Sequence, residues 1–335
     1  MTTNPEEVNC AICGMILDLD CIVLSGPHWP DDNAGTVTDQ EVTRYTAVTE
    51  SCYGKIHILP DLERIYPQQT TDRDHVGDGA PAKMYHGIHP FCEDLAHRVI
   101  ATSPNAKISG IGDLFLTLER RCTNYQWSSR DERMGPRDNN YVPPIFNEEK
   151  NALTWDGYYV PCNCIDQWGD EWEGWWDEDP INIPDLTTRL ISNLEKAPLS
   201  SSSRLQKSME ATPNEINDHI RSFMQGPVPL ECTYLMSQSQ WAEVFFRIPF
   251  LWDLDMEIIR EKTGSKEDLQ KWNWEKLSRQ ILSPAHSAGA DAKLEDDENI
   301  WDHSKVGLDV PGGLTNRRRI WQVLEEMRPE TELRG

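Results

Sequence analysis

Two cysteines near the start of the chain have the spacing of half a metal site. Residues 9–14 read NCAICG, so one tight turn can present both Cys10 and Cys13. Zinc in proteins favours four such soft or borderline ligands arranged as a tetrahedron. The next comparable pair is His89 and Cys92 in the text HPFC, which can aim two side chains at one point from the start of a helix. The sequence therefore predicts a structural zinc site formed by these four residues.

Other ligands compete with this assignment. The two pairs are separated by the 75 residues from 14 to 88, and further candidates lie at Cys21, Cys52, His86 and His97. Cys162 and Cys164 form a tighter pair that binds a metal or nothing. In the alternative interpretation, Cys10 and Cys13 are ordinary small buried residues. We favour the zinc site because this region has few aliphatic residues to stabilise it otherwise.

Catalytic chemistry is not indicated. A catalytic zinc usually has three protein ligands and an open water position, and the chain has neither an H-E-x-x-H nor an H-x-E…C-x-x-C pattern. It also has no G-x-S-x-G motif and no P-loop. Gly110 and Gly112 lack the third glycine of a dinucleotide-binding loop. We therefore expect a protein that is not an enzyme.

The composition argues against some kinds of binding partner and favours some cellular compartments over others. The 335 residues carry a net charge of −24, and such an acidic surface repels nucleic-acid phosphates. The chain has no run of 18 apolar residues that could span a membrane, and its first residues lack a signal-peptide pattern. We expect an intracellular protein, cytoplasmic or nuclear, that binds neither nucleic acid nor membrane. Its nine cysteines are then reduced thiols, which favours metal binding over disulfides.

The N-terminal third combines strand and helix patterns. Residues 9–60 alternate apolar stretches with turn-rich text, which is typical of short strands and loops. Residues 91–100 predict a helix, and a second is expected over 112–121. The first of these has three apolar side chains on one side: Leu95, Val99 and Ile100. The zinc site would staple the N-terminal turn to this helix.

Residues 212–252 predict a compact helical module. Thr212 can cap a helix, Pro213 suits its first position, and Glu215 lies three residues after the cap. One apolar face follows, formed by Ile216, Ile220, Phe223 and Met224. A second short helix is expected over 230–236, and a third over 239–246.

This module resembles an F-box, in particular the divergent F-box-like segments of large fungal families. Those segments begin Leu-Pro-x-Glu-Ile, have an isoleucine four residues later and a Ser-x-x-Trp or Ser-x-x-Phe in the third helix, and end on a proline followed shortly by tryptophan. The matching residues here are Pro213, Glu215, Ile216, Ile220, Trp241, Pro249 and Trp252. Thr212 replaces the usual leucine, and 232–236 depart from the common Asn-Leu-Arg-x-x-Ser text.

Other segments are similar to the same fungal families. They are the Cys-x-x-Cys-Gly with its later His-Pro-x-Cys, residues 179–184 and residues 316–321. The resemblance implies that the F-box residues bind the Skp-type adaptor of a cullin–RING ubiquitin ligase, while the rest of the chain presents an unknown target protein. Such a protein acts by proximity rather than by chemistry. The alternative is a zinc-stabilised scaffold or protein-interaction protein with no role in ubiquitin ligation.

The expected fold class is α+β. A small zinc-stapled region of strands, loops and helix at 1–122 would precede residues 123–208, which would comprise an irregular Trp- and acid-rich region, a helix and the Ser-rich linker. The F-box-like helical module would occupy 209–260. A C-terminal helical region, 261–335, would include a flexible insert near 283–299.

Two charged features favour structural explanations. The Trp- and acid-rich run 168–179 could bind basic partners, but such tryptophans more often pack within their own domain. Arg317, Arg318 and Arg319 could form a nuclear signal. Because they adjoin the apolar residues Ile320 and Trp321, we expect them on an amphipathic helix, paired with acids.

The Ser-rich text at 200–208 predicts an exposed linker and the main domain boundary. In limited trypsin proteolysis, the first cuts should fall near Arg204 or Lys207, before any cut within 213–252. Mass spectrometry of the earliest fragments checks this. Earliest cleavage inside 213–252 would mean that the helical module is not an independent unit.

Overall fold

The computed structural model describes eleven stretches of the chain, and they form two compact units. The stretches are 10–15, 17, 20–27, 36–50, 55–59, 63–65, 83–118, 158–160, 174–198, 230–286 and 300–329. The first unit comprises Met1–Asp177, Ser287–Ile300 and Arg319–Gly335, and the second comprises Glu178–His286 and Trp301–Arg318. Strands and helices are both present, so the predicted α+β class is confirmed.

The first unit contains a five-stranded antiparallel sheet. Its strands are β1 (Asp20–Pro27), β2 (Thr43–Glu50), β3 (Lys55–Leu59), β4 (Glu63–Ile65) and β5 (Lys83–Ile88). They lie in the order β4-β3-β2-β1-β5, so β5 returns to pair with the first strand. In that register Val23 of β1 pairs with Tyr45 on one side and Gly87 on the other. The strands predicted within 9–60 are confirmed.

A helix follows the last strand almost at once. It is α1 (Pro90–Thr102), with His89 as its cap residue and Pro90 at its first position, where a missing N–H costs nothing. Its buried apolar face has helical spacing and comprises Cys92, Leu95, Ala96 and Val99, whereas Ile100 is only half-buried. The helix predicted over 91–100 is confirmed. Residues 111–118 are also helical, which agrees with the helix predicted over 112–121 as far as the described residues extend.

The second unit is mainly helical. It contains α2 (Leu186–Ser192), α3 (Gln238–Phe246), α4 (Met256–Thr263), α5 (Trp274–Ile281) and the start of α6 (Gly312–Glu326), whose residues from Arg319 onward belong to the first unit. Helix α3 packs on α5, where the Phe245 and Trp274 rings lie 5.4 Å apart. Within the described stretches, no helix combines the length and apolar character needed to cross a bilayer.

The short helix predicted over 230–236 is wrong. Tyr234 adopts a left-handed backbone conformation with φ of 53°, which a right-handed helix excludes. The Glu275 carboxylate of α5 accepts hydrogen bonds from the backbone N–H groups of Thr233 at 2.7 Å and Tyr234 at 2.8 Å. Arg279 pairs with the same carboxylate at 2.8 Å, and both charged side chains are buried. Residues 230–236 therefore form an irregular segment, referred to below as the strap, which the Glu275 side chain holds on α5.

The three consecutive arginines lie on a helix, as expected, but all three are buried. Arg317 donates two hydrogen bonds of 2.7 Å to the Asp253 carboxylate and others to backbone carbonyls, including that of Phe250. Its guanidinium lies 4.0 Å from the centre of the Trp252 ring. The predicted pairing with an acid is thus observed for Arg317, while its complete burial was not anticipated. A fully hydrogen-bonded guanidinium is what makes that burial tolerable.

Several predicted segments fall outside the described residues. They are the Ser-rich linker 200–208, the helix expected from Pro213, and residues 287–299 of the expected flexible insert. Two residues at the start of that expected insert, Ser283 and Ala285, are buried in the second unit.

One histidine is fully enclosed in the second unit. His303 shares a 2.8 Å hydrogen bond between its Nδ1 and the Oγ1 of Thr315. Burial first, and then the positive charge of Arg318, lower the pKa of His303 to about 3, although Asp302 acts in the opposite direction. The imidazole of His303 is therefore neutral in the folded protein near pH 7.

This burial predicts a defined acid sensitivity. An unfolded histidine has a pKa of about 6.5, so between there and about pH 3 the unfolded state binds the additional proton. The free energy of unfolding should fall on acidification by up to about 1.4 kcal/mol per pH unit from this group. His303→Asn, which keeps a partner for Thr315, should flatten the profile. Urea unfolding between pH 7 and 4 checks this, and equal slopes for both proteins would contradict it.

Candidate metal centre

The first ligand pair lies on a tight turn. The Gly14 N–H donates to the Cys10 carbonyl at 2.9 Å, and the Cys10 N–H donates to the Met15 carbonyl at 2.7 Å. Gly14 has φ of 81°, a left-handed conformation that glycine adopts without steric cost. This reversal of the chain brings the side chains of Cys10 and Cys13 to one side, as the Cys-x-x-Cys-Gly text predicts.

The second pair lies where β5 meets α1. His89 is extended, with φ of −69° and ψ of 149°, and Cys92 follows in the first turn of the helix. The turn that bears the cysteines is attached to the same junction, because the Ala11 N–H donates to the Gly87 carbonyl at 2.9 Å. Antiparallel pairing of β5 with β1 therefore delivers both halves of the site to one place.

The four predicted ligands converge. One ligand atom from each of Cys10, Cys13, His89 and Cys92 lies within 4.8 Å of the others, and all four residues are buried. The Cys13 Sγ lies 3.4 Å from the His89 Nδ1. Zinc–ligand bonds of about 2.0–2.3 Å in a tetrahedron require ligand atoms about 3.5–3.8 Å apart, so a small contraction completes the geometry. The cluster can hold a metal ion.

Contacts within the cluster shift the pKa values of two of its cysteine thiols, Cys13 and Cys92. Burial works against ionisation of the Cys13 thiol, but hydrogen bonds from Cys10 and Cys92 and the charge of His89 outweigh it and lower its pKa well below the usual value. Burial, reinforced by the adjacent Cys10 and Cys13, raises the pKa of the Cys92 thiol well above its usual value. The thiolate form is thus favoured at Cys13 and disfavoured at Cys92. A cation that balances several thiolates at once would remove this conflict.

Two residues that sequence reasoning missed contact the cysteine turn. Arg319, completely buried, donates from one guanidinium nitrogen to the carbonyls of Cys13 at 2.7 Å and Tyr158 at 3.0 Å. The Tyr158 hydroxyl donates to the Ala11 carbonyl at 3.4 Å. Burial lowers the pKa of the Arg319 guanidinium, while the charges of nearby cysteines, Cys13 foremost, act in the opposite direction. No spacing rule relates either residue to the ligands, so only the fold could identify them.

The competing ligands that the structure describes lie outside the cluster. His86 is buried with its ring 5.2 Å from that of Phe115, and His97 is exposed on α1. Burial, assisted by the charges of Cys10 and Asp20, raises the pKa of Cys21 to about 12 and keeps it a neutral thiol. Cys52, Cys162 and Cys164 lie outside the described residues.

The predicted docking residues are placed only in part. Pro213, Glu215, Ile216 and Ile220 lie outside the described residues. Trp241 is fully buried and packs in the core of the second unit, whereas Pro249 and Trp252 are half-buried. In the strap 230–236, Leu230 and Leu235 are exposed by 45% and 40%.

Comparison with known proteins adds no family assignment. No protein-family model, curated protein or solved structure matches the chain. The similarity to fungal F-box-like segments thus depends on the sequence motifs alone, and the metal centre depends on the geometry.

The donor set and its burial define what the cluster can do. Four protein ligands fill a tetrahedron and leave no position for a substrate or a reactive water, which is typical of structural rather than catalytic sites. All four are enclosed, so exchange with solvent metal requires local opening. The arrangement is suited to fastening residues 10–15 to the β5–α1 junction.

Proposed function

We propose that Cys10, Cys13, His89 and Cys92 hold a structural zinc ion, and that the protein acts by binding other proteins rather than by catalysis. The convergence of four buried ligand atoms within 4.8 Å carries the proposal. Three sulfur donors and one imidazole match the ligands that zinc takes in structural sites.

A metal ion would have a clear mechanical role in the first unit. The hydrogen bonds that attach residues 10–15 to the junction include one from the Ala11 N–H to the Gly87 carbonyl. Metal coordination would add two bonds from the turn and two from the junction, and its free energy would contribute directly to folding. The unit would then present a fixed surface to a partner protein.

Metal analysis tests the zinc proposal. Protein purified without added metal should contain about one zinc per chain by elemental analysis. The double substitution Cys10→Ser and Cys13→Ser removes two of four ligands, so zinc should be lost and the melting temperature should fall. Cys21→Ser is the matched control, because this buried thiol lies outside the cluster and its loss should leave zinc unchanged. Full zinc and unchanged melting in the double variant would contradict the proposal.

As a second function, we propose that the F-box-like segment binds the Skp-type adaptor of a cullin–RING ubiquitin ligase. The observation that favours it is the exposure of Leu230 and Leu235 on the strap of that segment. Hydrogen bonds from the Thr233 and Tyr234 N–H groups to the Glu275 carboxylate hold this strap in place, which limits the entropy lost on binding. The remainder of the chain would present a target protein to the ligase.

Within this proposal the docking residues divide into two roles. Trp241 supports the module from inside, since it is fully buried. Pro249 and Trp252 keep part of their surface accessible. The proposal assigns contact with the adaptor to these two residues and to four from the helix predicted at Pro213: Pro213, Glu215, Ile216 and Ile220.

Binding to a purified Skp-type adaptor tests the second proposal. Ile216→Glu should weaken binding about a hundredfold or more, because a charge buried in an apolar interface costs several kcal/mol and about 1.4 kcal/mol corresponds to tenfold. Calorimetry measures the affinity, and a circular-dichroism melt must show that the variant is folded.

A matched surface change separates docking from a general effect of added charge. Met256 is exposed by 43% at the start of α4 and is not one of the residues that match the F-box pattern, so Met256→Glu should leave adaptor binding unchanged. Wild-type protein with no micromolar binding would refute the adaptor function. That result would leave the zinc proposal unaffected, because metal analysis tests it independently.

A further inference from the structure

The guanidinium of Arg319 is a positive charge enclosed beside the cysteine cluster. It is completely buried and donates at 2.7 Å to the carbonyl of Cys13, a residue of the cluster itself. The same nitrogen donates at 3.0 Å to Tyr158, whose hydroxyl in turn contacts the Ala11 carbonyl between the two cysteines. Burying a guanidinium is costly unless negative charge lies close to it.

The proposed metal site would carry the negative charge that a buried guanidinium requires. With a divalent ion, three thiolates outweigh the metal by a single negative charge, and a neutral imidazole adds none. A buried centre with net charge is unfavourable for the same reason as a buried guanidinium. One arginine beside one Cys₃His site makes the pair neutral overall.

We propose that Arg319 is a positioning residue of the metal centre that balances its net charge and fixes the carbonyl of Cys13, so that it sets the affinity for a divalent ion. This inference rests on the proposed zinc site. Arg319 does not ligate the metal: it acts through the cysteine turn and through its charge. Residues around metal ligands commonly alter affinity by about 10- to 100-fold when they are replaced.

Arg317 provides a matched comparison on the same helix. It is equally buried, but it forms two 2.7 Å hydrogen bonds with the Asp253 carboxylate in the second unit. Loss of Arg317 removes a buried charge of the same kind from a different set of partners. A difference between substitutions at 317 and 319 therefore reports on the cysteine cluster rather than on buried arginines in general.

Zinc affinity of the full chain tests the proposal, measured by competition with a chromophoric chelator. Arg319→Gln keeps an amide donor but removes the charge, and it should weaken zinc binding about 10- to 100-fold. Arg319→Lys keeps the charge and should recover most of this loss. Arg317→Gln should lower the melting temperature without changing zinc affinity. Cobalt substitution checks in each variant that the thiolate-to-metal absorption, and hence the ligand set, is retained.

The outcomes distinguish the two proposals. Wild-type protein that holds no zinc would overturn the metal site and this inference with it. Wild-type protein that holds zinc, together with unchanged affinity in Arg319→Gln, would overturn the role of Arg319 alone. An Arg319→Lys variant as weak as Arg319→Gln would also overturn it, because hydrogen-bond geometry rather than charge would then be decisive. If Arg319→Gln does not fold, Arg319→Lys decides: near wild-type affinity supports the role, and a 10-fold or greater loss overturns it.

Discussion

Buried charge must be balanced where it lies, and much of the described structure follows from that requirement. The chain is strongly acidic, yet it encloses Arg279, Arg317 and Arg319 almost completely. Arg279 is matched by Glu275, and Arg317 by Asp253. Removing one partner of such a pair typically costs about 3–5 kcal/mol, because the other charge is left without compensation. These arginines therefore fix the backbone segments that meet them.

Each balanced charge also organises a segment with little regular structure of its own. The Glu275 carboxylate binds two consecutive N–H groups of the strap 230–236. The Arg317 guanidinium donates hydrogen bonds to the carbonyls of Pro180 and Ile181, which follow the acid-rich run 168–179. In the first unit, Arg319 does the same for the cysteine turn and Tyr158. Polar contacts with buried charged side chains thus help to hold these irregular segments in place.

Local rules in the sequence account for the features that were predicted correctly. Cys-x-x-Cys-Gly and His-Pro-x-Cys each describe one turn, and the spacing of Leu95 and Val99 describes one helix face. The failures involve partners far away in the chain. The sequence near Tyr234 does not indicate that its N–H donates a hydrogen bond to Glu275. Likewise, the sequence around Arg319 does not indicate that its guanidinium donates to the Cys13 carbonyl. The docking role of the residues from Pro213 to Ile220 remains a prediction from sequence resemblance.

The long separation between the two ligand pairs has a consequence for the order of assembly. During synthesis, the cysteine turn leaves the ribosome long before His89 and Cys92 exist, and no local contact can complete the site early. Loop closure over such a distance is entropically costly, so pairing of β5 with β1 has to supply the proximity. Arg319 comes 306 residues after Cys13, so the surroundings of the centre are finished only after all of these residues have been synthesised. A nascent chain interrupted after β4 would therefore expose thiols that the mature fold keeps enclosed.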